Sequence, residues 1–205
     1  MKTFLLLFLI AIIFPLQAQK NIPLSIDTPP PVVTLFGKDV ISTSINERDF
    51  ALSPDGTKIF YTISTPKSTF QTIVYSRKAR EAEWTLPEVA AFAGEYSDLE
   101  PEFSADGMTL YFSSNRPLRG KEPKDFDIWK ITWQNDSWGT PENLGVIINS
   151  TADEFYPSVA KNGNLYFTAA YAGGIGKEDI YLSIIYCQWL SETNGIRYSC
   201  EFQTL

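Results

Sequence analysis

The chain contains no histidine. That absence excludes a Ser-His-Asp triad, a Cys-His pair, an HExxH zinc site and any histidine acid-base group. An enzyme made from this chain alone would have to work with carboxylates, Tyr, Lys or Arg. Basic residues are scarce beside acidic ones, 17 against 24, a formal charge of −7. Such a balance argues against binding a phosphate backbone, and no nucleic-acid partner is expected. Cysteines number two, Cys187 and Cys200. Long apolar runs are also missing. The longest, Phe4 to Phe14, has eleven residues, too few to span a bilayer.

That short run has the context of an export signal. Lys2 supplies a positive start, Pro15 breaks the apolar stretch, and Leu16-Gln17-Ala18 brings small residues to the cleavage position. The alternative is a buried N-terminal helix, but a helix apolar all round needs a core that a β-rich chain does not offer. No Cys follows the run, which rules out a lipid-anchor site there. Cleavage after Ala18 removes Lys2 and takes the charge from −7 to −8. The mature protein is therefore expected to be periplasmic or secreted, without a membrane span. Residues 19–36 form a lead-in around Pro29-Pro30-Pro31, read as an extended linker or edge-strand approach in preference to a docking motif.

Apart from this leader the composition is that of many short strands. Aromatics make up 14%, and there are 13 Pro and 12 Gly. Three segments repeat. Asp49 to Thr62 contains Ser53-Pro54-Asp55-Gly56 followed by Ile59-Phe60-Tyr61. Glu100 to Ser113 contains Ser104-Ala105-Asp106-Gly107 followed by Leu110-Tyr111-Phe112. Tyr156 to Thr168 contains Ala160-Lys161-Asn162-Gly163 followed by Leu165-Tyr166-Phe167. The turn glycines lie 51 and 56 residues apart, a spacing of propeller blades more than of helical repeats. Asp-Gly or Asn-Gly supplies the positive φ of a tight hairpin. The aromatic-rich second strands suit a position between two neighbouring sheets.

Third strands follow at Thr72–Ser76, Asp127–Ile131 and Asp179–Ser183. Fourth strands begin at Trp84 and Trp138, each with Pro three residues later, which places them at an outer edge. The expectation is an all-β chain, a partial β-propeller of about three blades, each a four-stranded antiparallel sheet, at 37–90, 91–145 and 146–190. Residues 191–205 are expected to form an irregular tail. A disulfide between Cys187 and Cys200 is open there, and so is the reading that both are incidental.

The Ser-Pro-Asp-Gly element at 53–56, its copies at 104–107 and 160–163, the strands at 127–129 and 179–181, and Ser113-Ser114-Asn115-Arg116-Pro117 resemble the WD40-like PD40 repeats of TolB-type periplasmic propellers. The resemblance covers roughly 45–190. It implies an exported propeller that binds protein or cell-envelope partners. Propellers generally close with about 4–8 blades. Three blades leave a face and strand edges open, so either further blades belong to a longer parent or copies associate through the open face.

Acidic residues cluster where the first strands begin: Glu47-Arg48-Asp49, Asp98 and Glu100, and Asp153-Glu154. In a propeller these positions lie near the mouth of the central channel. They could bind a divalent cation such as Ca²⁺ or a basic peptide, or they could accept backbone N–H bonds and tie blades together. No other cofactor is expected. Arg116 is expected to pair with Asp127 and clamp the loop between them, or to face a ligand. Gly173-Gly174-Ile175-Gly176 superficially resembles a phosphate loop but joins two strands, so it reads as a connector. Trp84, Trp129, Trp133 and Trp138 could form a sugar platform, although the blade period assigns Trp84 and Trp138 to packing. The favoured function is a non-enzymatic binding or scaffold module. The alternative is a carboxylate-based glycan hydrolase, or the propeller portion of a larger hydrolase.

Overall fold

The computed structural model describes residues 21–24, 30–80, 83–192 and 195–203, with side chains described as far as residue 184. The expected export signal at 1–18 lies outside these residues. Three antiparallel sheets follow one another along the chain. The first contains β1 (Asn21–Pro23), β2 (Asn46–Leu52), β3 (Lys58–Ser64), β4 (Gln71–Arg80), β5 (Glu83–Thr85) and β6 (Glu88–Val89), in the order β1-β5-β4-β3-β2 with β6 also paired to β4. The second contains β7 (Asp98–Phe103), β8 (Thr109–Ser114), β9 (Asp127–Gln134), β10 (Ser137–Trp138) and β11 (Glu142–Asn143). The third runs β12 (Glu154–Val159), β13 (Leu165–Ala169), β14 (Asp179–Glu192) and β15 (Gly195–Gln203).

Two sheets exceed the expected four strands for a local reason. The fourth strand of each is split at its proline: β5 and β6 flank Leu86-Pro87, and β10 and β11 flank Gly139-Thr140-Pro141. Proline has no N–H for the ladder, so pairing stops and resumes beyond it. The first sheet also gains β1 from the lead-in, paired antiparallel to β5 from Asn21 opposite Thr85 to Pro23 opposite Glu83. Residues 195–203, expected as irregular tail, pair with the extended second half of β14, with Cys187 opposite Cys200 in the backbone register. The β-branched and aromatic residues Ile196, Tyr198 and Phe202 favour that extended backbone.

Each inner hairpin closes with the expected turn. Gly56, Gly107 and Gly163 have φ of 66°, 71° and 86°, in the left-handed region. The serine preceding Asp-Gly closes the first two turns. Ser53 Oγ donates to Asp55 Oδ1 at 2.5 Å and accepts from Lys58 N at 2.8 Å, and Ser104 does the same with Asp106 and Thr109 at 2.6 and 2.9 Å. In the third turn Ala160 replaces that serine, and Asn162 accepts from Asn164 N at 3.2 Å.

The sheets stack face to face in chain order, consistent with part of a propeller. Phe60 and Ile73 of the first sheet pack against Phe103, Leu110, Phe112, Trp129 and Ile131 of the second. Ile128 of the second packs with Ile148 and with Leu165, Phe167 and Ala169 of the third. The outer face of the first sheet is covered by the chain leading into it. Ile22, Leu24, Phe36, Val40 and Ile41 lie against Ile59, Tyr61, Val74 and Trp84, and Trp84 Nε1 donates to Leu24 O at 3.1 Å. The far face of the third sheet has no such cover among the described residues. Tyr166 there is 40% exposed and Ile180 80%, while Leu165 and Phe167 on the opposite face are buried. Tyr181 is half-buried and faces inward onto Phe167 and Tyr171 at ring separations of 6.0 and 4.5 Å. Alternation along a strand puts consecutive side chains on opposite faces, which separates Ile180 from Tyr181.

Candidate functional site

The inner strands β2, β7 and β12 carry one irregularity three times. Pairing shifts between Arg48 and Ala51, between Leu99 and Glu102, and between Phe155 and Ser158. Within each bulge one non-glycine residue adopts positive φ: Asp49 at 56°, Glu100 at 58° and Tyr156 at 53°. All three sit seven positions before their turn glycines, so the bulge repeats with the hairpin. A bulge bends its strand and re-aims the side chain at that point. Here it brings residues from all three sheets together.

Glu100 is the centre of this junction and is only 5% exposed. Its Oε2 accepts from Tyr156 N at 2.6 Å and from Ser113 Oγ at 3.0 Å. Its backbone N donates to Thr62 Oγ1 of the first sheet at 3.0 Å. Arg48 Nη2 lies 3.6 Å from Glu100 Oε1 and donates to the Tyr156 hydroxyl at 2.8 Å, a contact spanning 108 residues. Arg48 Nε bonds its neighbour Asp49 at 3.0 Å. Burial raises the Glu100 carboxyl to about 7, with the nearby Asp49 charge acting the same way and the hydrogen bonds and Arg48 opposing. The guanidinium of Arg48 supplies the positive charge between these carboxylates. Among the described residues no group of three or more Asp, Glu or Cys is placed to hold a metal ion.

The other candidate residues form separate groups. Asp98 is fully buried, and Arg116 Nη2 bonds it at 2.5 Å. Arg116 also donates to Ser114 Oγ and to Phe92 O, and its guanidinium lies over the Phe112 and Trp129 rings. The expected Arg116–Asp127 clamp is therefore replaced. Asp127 bonds Lys124 Nζ at 2.5 Å and Asn143 Nδ2 at 2.6 Å, so Lys124 closes that loop. The reason lies in register: Asp98 is opposite Ser114, two residues before Arg116. Asp153 Oδ1 accepts Phe126 N at 2.9 Å, tying the third sheet's entry to the second. Glu154 is fully buried, accepts from Ser150 N and Oγ at 3.1 and 2.7 Å, and is raised by burial to about 7. Glu47 accepts from Thr43 N and hydroxyl at the start of β2.

The Gly-rich loop directs its N–H groups onto protein. Ile175 N and Gly176 N donate to the Asp179 carboxylate at 2.8 and 3.0 Å. The tryptophans do not form one platform. Trp84 is buried under the lead-in, Trp129 lies within the seam of the first two sheets, and Trp133 and Trp138 meet at 5.2 Å at its outer end. The repeated bulge was within reach of sequence reading, because Asp49, Glu100 and Tyr156 share one offset from the turn glycines. Chemically the junction is a clamp in which the buried Glu100 carboxylate bonds across sheets, with Arg48 part-exposed and Tyr156 52% exposed at its surface. No helix of the described residues is long and apolar enough to cross a membrane.

The chain matches no family model and no curated protein. Among solved structures it is similar to a putative TolB from Agrobacterium tumefaciens, at 18% identity and a TM-score of 0.45, over 78% of this chain and 50% of that one. It is also similar to a puromycin-hydrolyzing peptidase from Mycobacterium tuberculosis, at 16% identity and a TM-score of 0.42, over 68% of this chain and 22% of that one. The chain thus spans about half the length of the first and under a quarter of the second.

Proposed function

We propose that this chain is part of an exported β-propeller acting as a non-enzymatic module that binds a protein or cell-envelope partner. The observation carrying this reading is the inner-strand junction. Thr62, Glu100, Ser113 and Tyr156 fix three sheets against one another, and Arg48 and Tyr156 are left at the surface of a rigid centre. Arg and Tyr are residue types enriched at the energetic centres of protein interfaces. Residues 2–18 support export, to the periplasm or outside the cell. Hydrolysis by paired carboxylates is less well supported. Glu100 has both oxygens engaged by protein groups, whereas a glycosidase needs two carboxyls facing one open substrate site.

The test is site-specific photocrosslinking in the cells from which the chain comes. A photoreactive phenylalanine analogue at position 156 should give a discrete protein adduct. The same group at exposed Ile175, on the loop between β13 and β14, should not. Equal adducts at both positions, or none at 156, would overturn the reading. Release of reducing sugar from cell-wall glycan, abolished by Glu100→Gln, would establish the hydrolase instead. Mass measurement of the exported fraction should show a chain beginning at Gln19; retention of Met1 to Ala18 would refute the export assignment.

A further inference from the structure

Away from the inner junction, the outer end of the seam between the first two sheets holds an unusual charge arrangement. Lys58 on β3 and Arg77 on β4 are directly opposed in the ladder. Like charges so placed repel. The chain has acids in excess, yet none neutralises this pair closely. The nearest carboxylate to Lys58 is Asp55 at 3.9 Å, and Arg77 has no ion-pair partner among the described residues. Glu88 accepts the Tyr75 hydroxyl at 2.5 Å and keeps its charge, but it makes no ion pair with Lys58 or Arg77.

The two cations rim a cavity of about 90 Å³ whose other walls include Tyr75, Ala90, Trp133 and Trp138. Lys58 Nζ lies 5.3 Å from the Trp133 ring centre, and the Trp133 and Trp138 rings meet at 74°. The walls are therefore aromatic and aliphatic, and the side-chain polar groups among them are two cations, the Trp indole N–H groups and the Tyr75 hydroxyl, which donates to Glu88. Such a cavity favours an organic anion with a flat or ring-shaped body. The ring gains contact with the indoles, and a planar carboxylate matches the guanidinium fork. The size sets a limit. The volume is below the ~150 Å³ that encloses benzene. One ring can enter by an edge or face, with the remainder outside.

We infer that this cavity binds a ring-bearing carboxylate, with the ring against Trp133 and Trp138 and the carboxylate on Lys58 and Arg77. A sugar acid and an aromatic acid share that chemistry. The site is independent of the protein-binding surface around Tyr156, and either can fail without the other.

The test is an NMR titration of the isotope-labelled full chain, following the Trp133 indole N–H, assigned by its loss in Trp133→Phe. The probes are galacturonate, benzoate and the neutral sugar galactose. At least one acid should shift the signal saturably, and galactose should not. Response to galacturonate alone identifies a sugar acid, to benzoate alone an aromatic acid, and to both the shared ring-carboxylate chemistry. Lys58→Gln and Arg77→Gln should each weaken binding about tenfold, the scale of a lost charged hydrogen bond, with thermal midpoints no lower than that of the parent chain. No saturable shift from either acid, an equal response to galactose, or binding that survives both substitutions unchanged would overturn the inference. Both replaced side chains are polar and at least part-exposed, so loss of fold does not obscure the result.

Discussion

Raising the pH from about 5 to about 8 should destabilise this protein, and two buried glutamates supply the reason. Glu100 and Glu154 are each raised from an ordinary 4.5 to about 7, chiefly by burial. Between those values the folded chain holds protons that the unfolded chain has released. Stability must then fall as pH rises through the interval and level off above the folded value. A shift of about 2.5 units at about 1.4 kcal/mol per unit amounts to roughly 3 kcal/mol per group. For a chain of this size each kcal/mol moves the midpoint by about 2–4 °C, so each group is worth roughly 6–12 °C. The absence of histidine makes the experiment clean, since no imidazole titrates in the same window. At the acid end the turn carboxylates Asp55 and Asp106, held below their usual range, lose their contribution as they protonate. The stability maximum should therefore fall near pH 5. Calorimetric or circular-dichroism melts at half-unit steps would measure the profile. Glu100→Gln should remove about half of the decline. A midpoint that is flat or rises from pH 5 to 8, or a full decline persisting in Glu100→Gln and in Glu154→Gln, would refute the argument.

Three further outcomes are expected. Gly56→Val and Gly107→Val should each cost about 1–2 kcal/mol in urea unfolding, because a β-branched residue is strained at φ of 66° and 71°; unchanged midpoints would contradict the turn assignment. Arg116→Met leaves fully buried Asp98 without its ion-pair partner and should cost about 3–5 kcal/mol, much of it recovered in the double variant with Asp98→Asn. Light scattering across a dilution series should show self-association, weakened by Ile180→Glu and Tyr166→Lys on the uncovered face; a monomer at every concentration would show that this face needs no partner.

What could be read in the sequence is what short-range chemistry dictates. Asp-Gly behind a serine two positions earlier favours a hairpin, so Gly56 and Gly107 were legible, and even the weaker Asn162-Gly163 closes as expected. The splitting of the fourth strands follows from Pro87 and Pro141, again a local effect. Partner choice is different. Arg116 has one carboxylate 18 positions before it and another 11 after, and sequence distance favours the wrong one. Only the β7–β8 register, which sets Asp98 opposite Ser114, decides the matter. The inner junction was half visible. Arg48, Asp49 and Glu100 stood out as charges, but Tyr156 carries none and so does not stand out at the same repeat position. The cavity beside Lys58 depends on packing between two sheets, which no single segment encodes.

The lead-in lying over Trp84 has a consequence for assembly. Stacked sheets can in principle add copy to copy without limit, the last sheet of one against the first sheet of the next. Here Ile22, Leu24 and Ile41 occupy the surface that an incoming copy would need, and the Trp84 indole N–H, donating to Leu24 O, helps hold them. Head-to-tail growth is blocked at one terminus, like a chain reaction with a terminator already attached. Among the described residues the Ile180 face is the sheet face left without cover, and a face used by both partners generates a two-fold pair that closes on itself. Association of this chain should therefore stop at two copies and not run on into filaments.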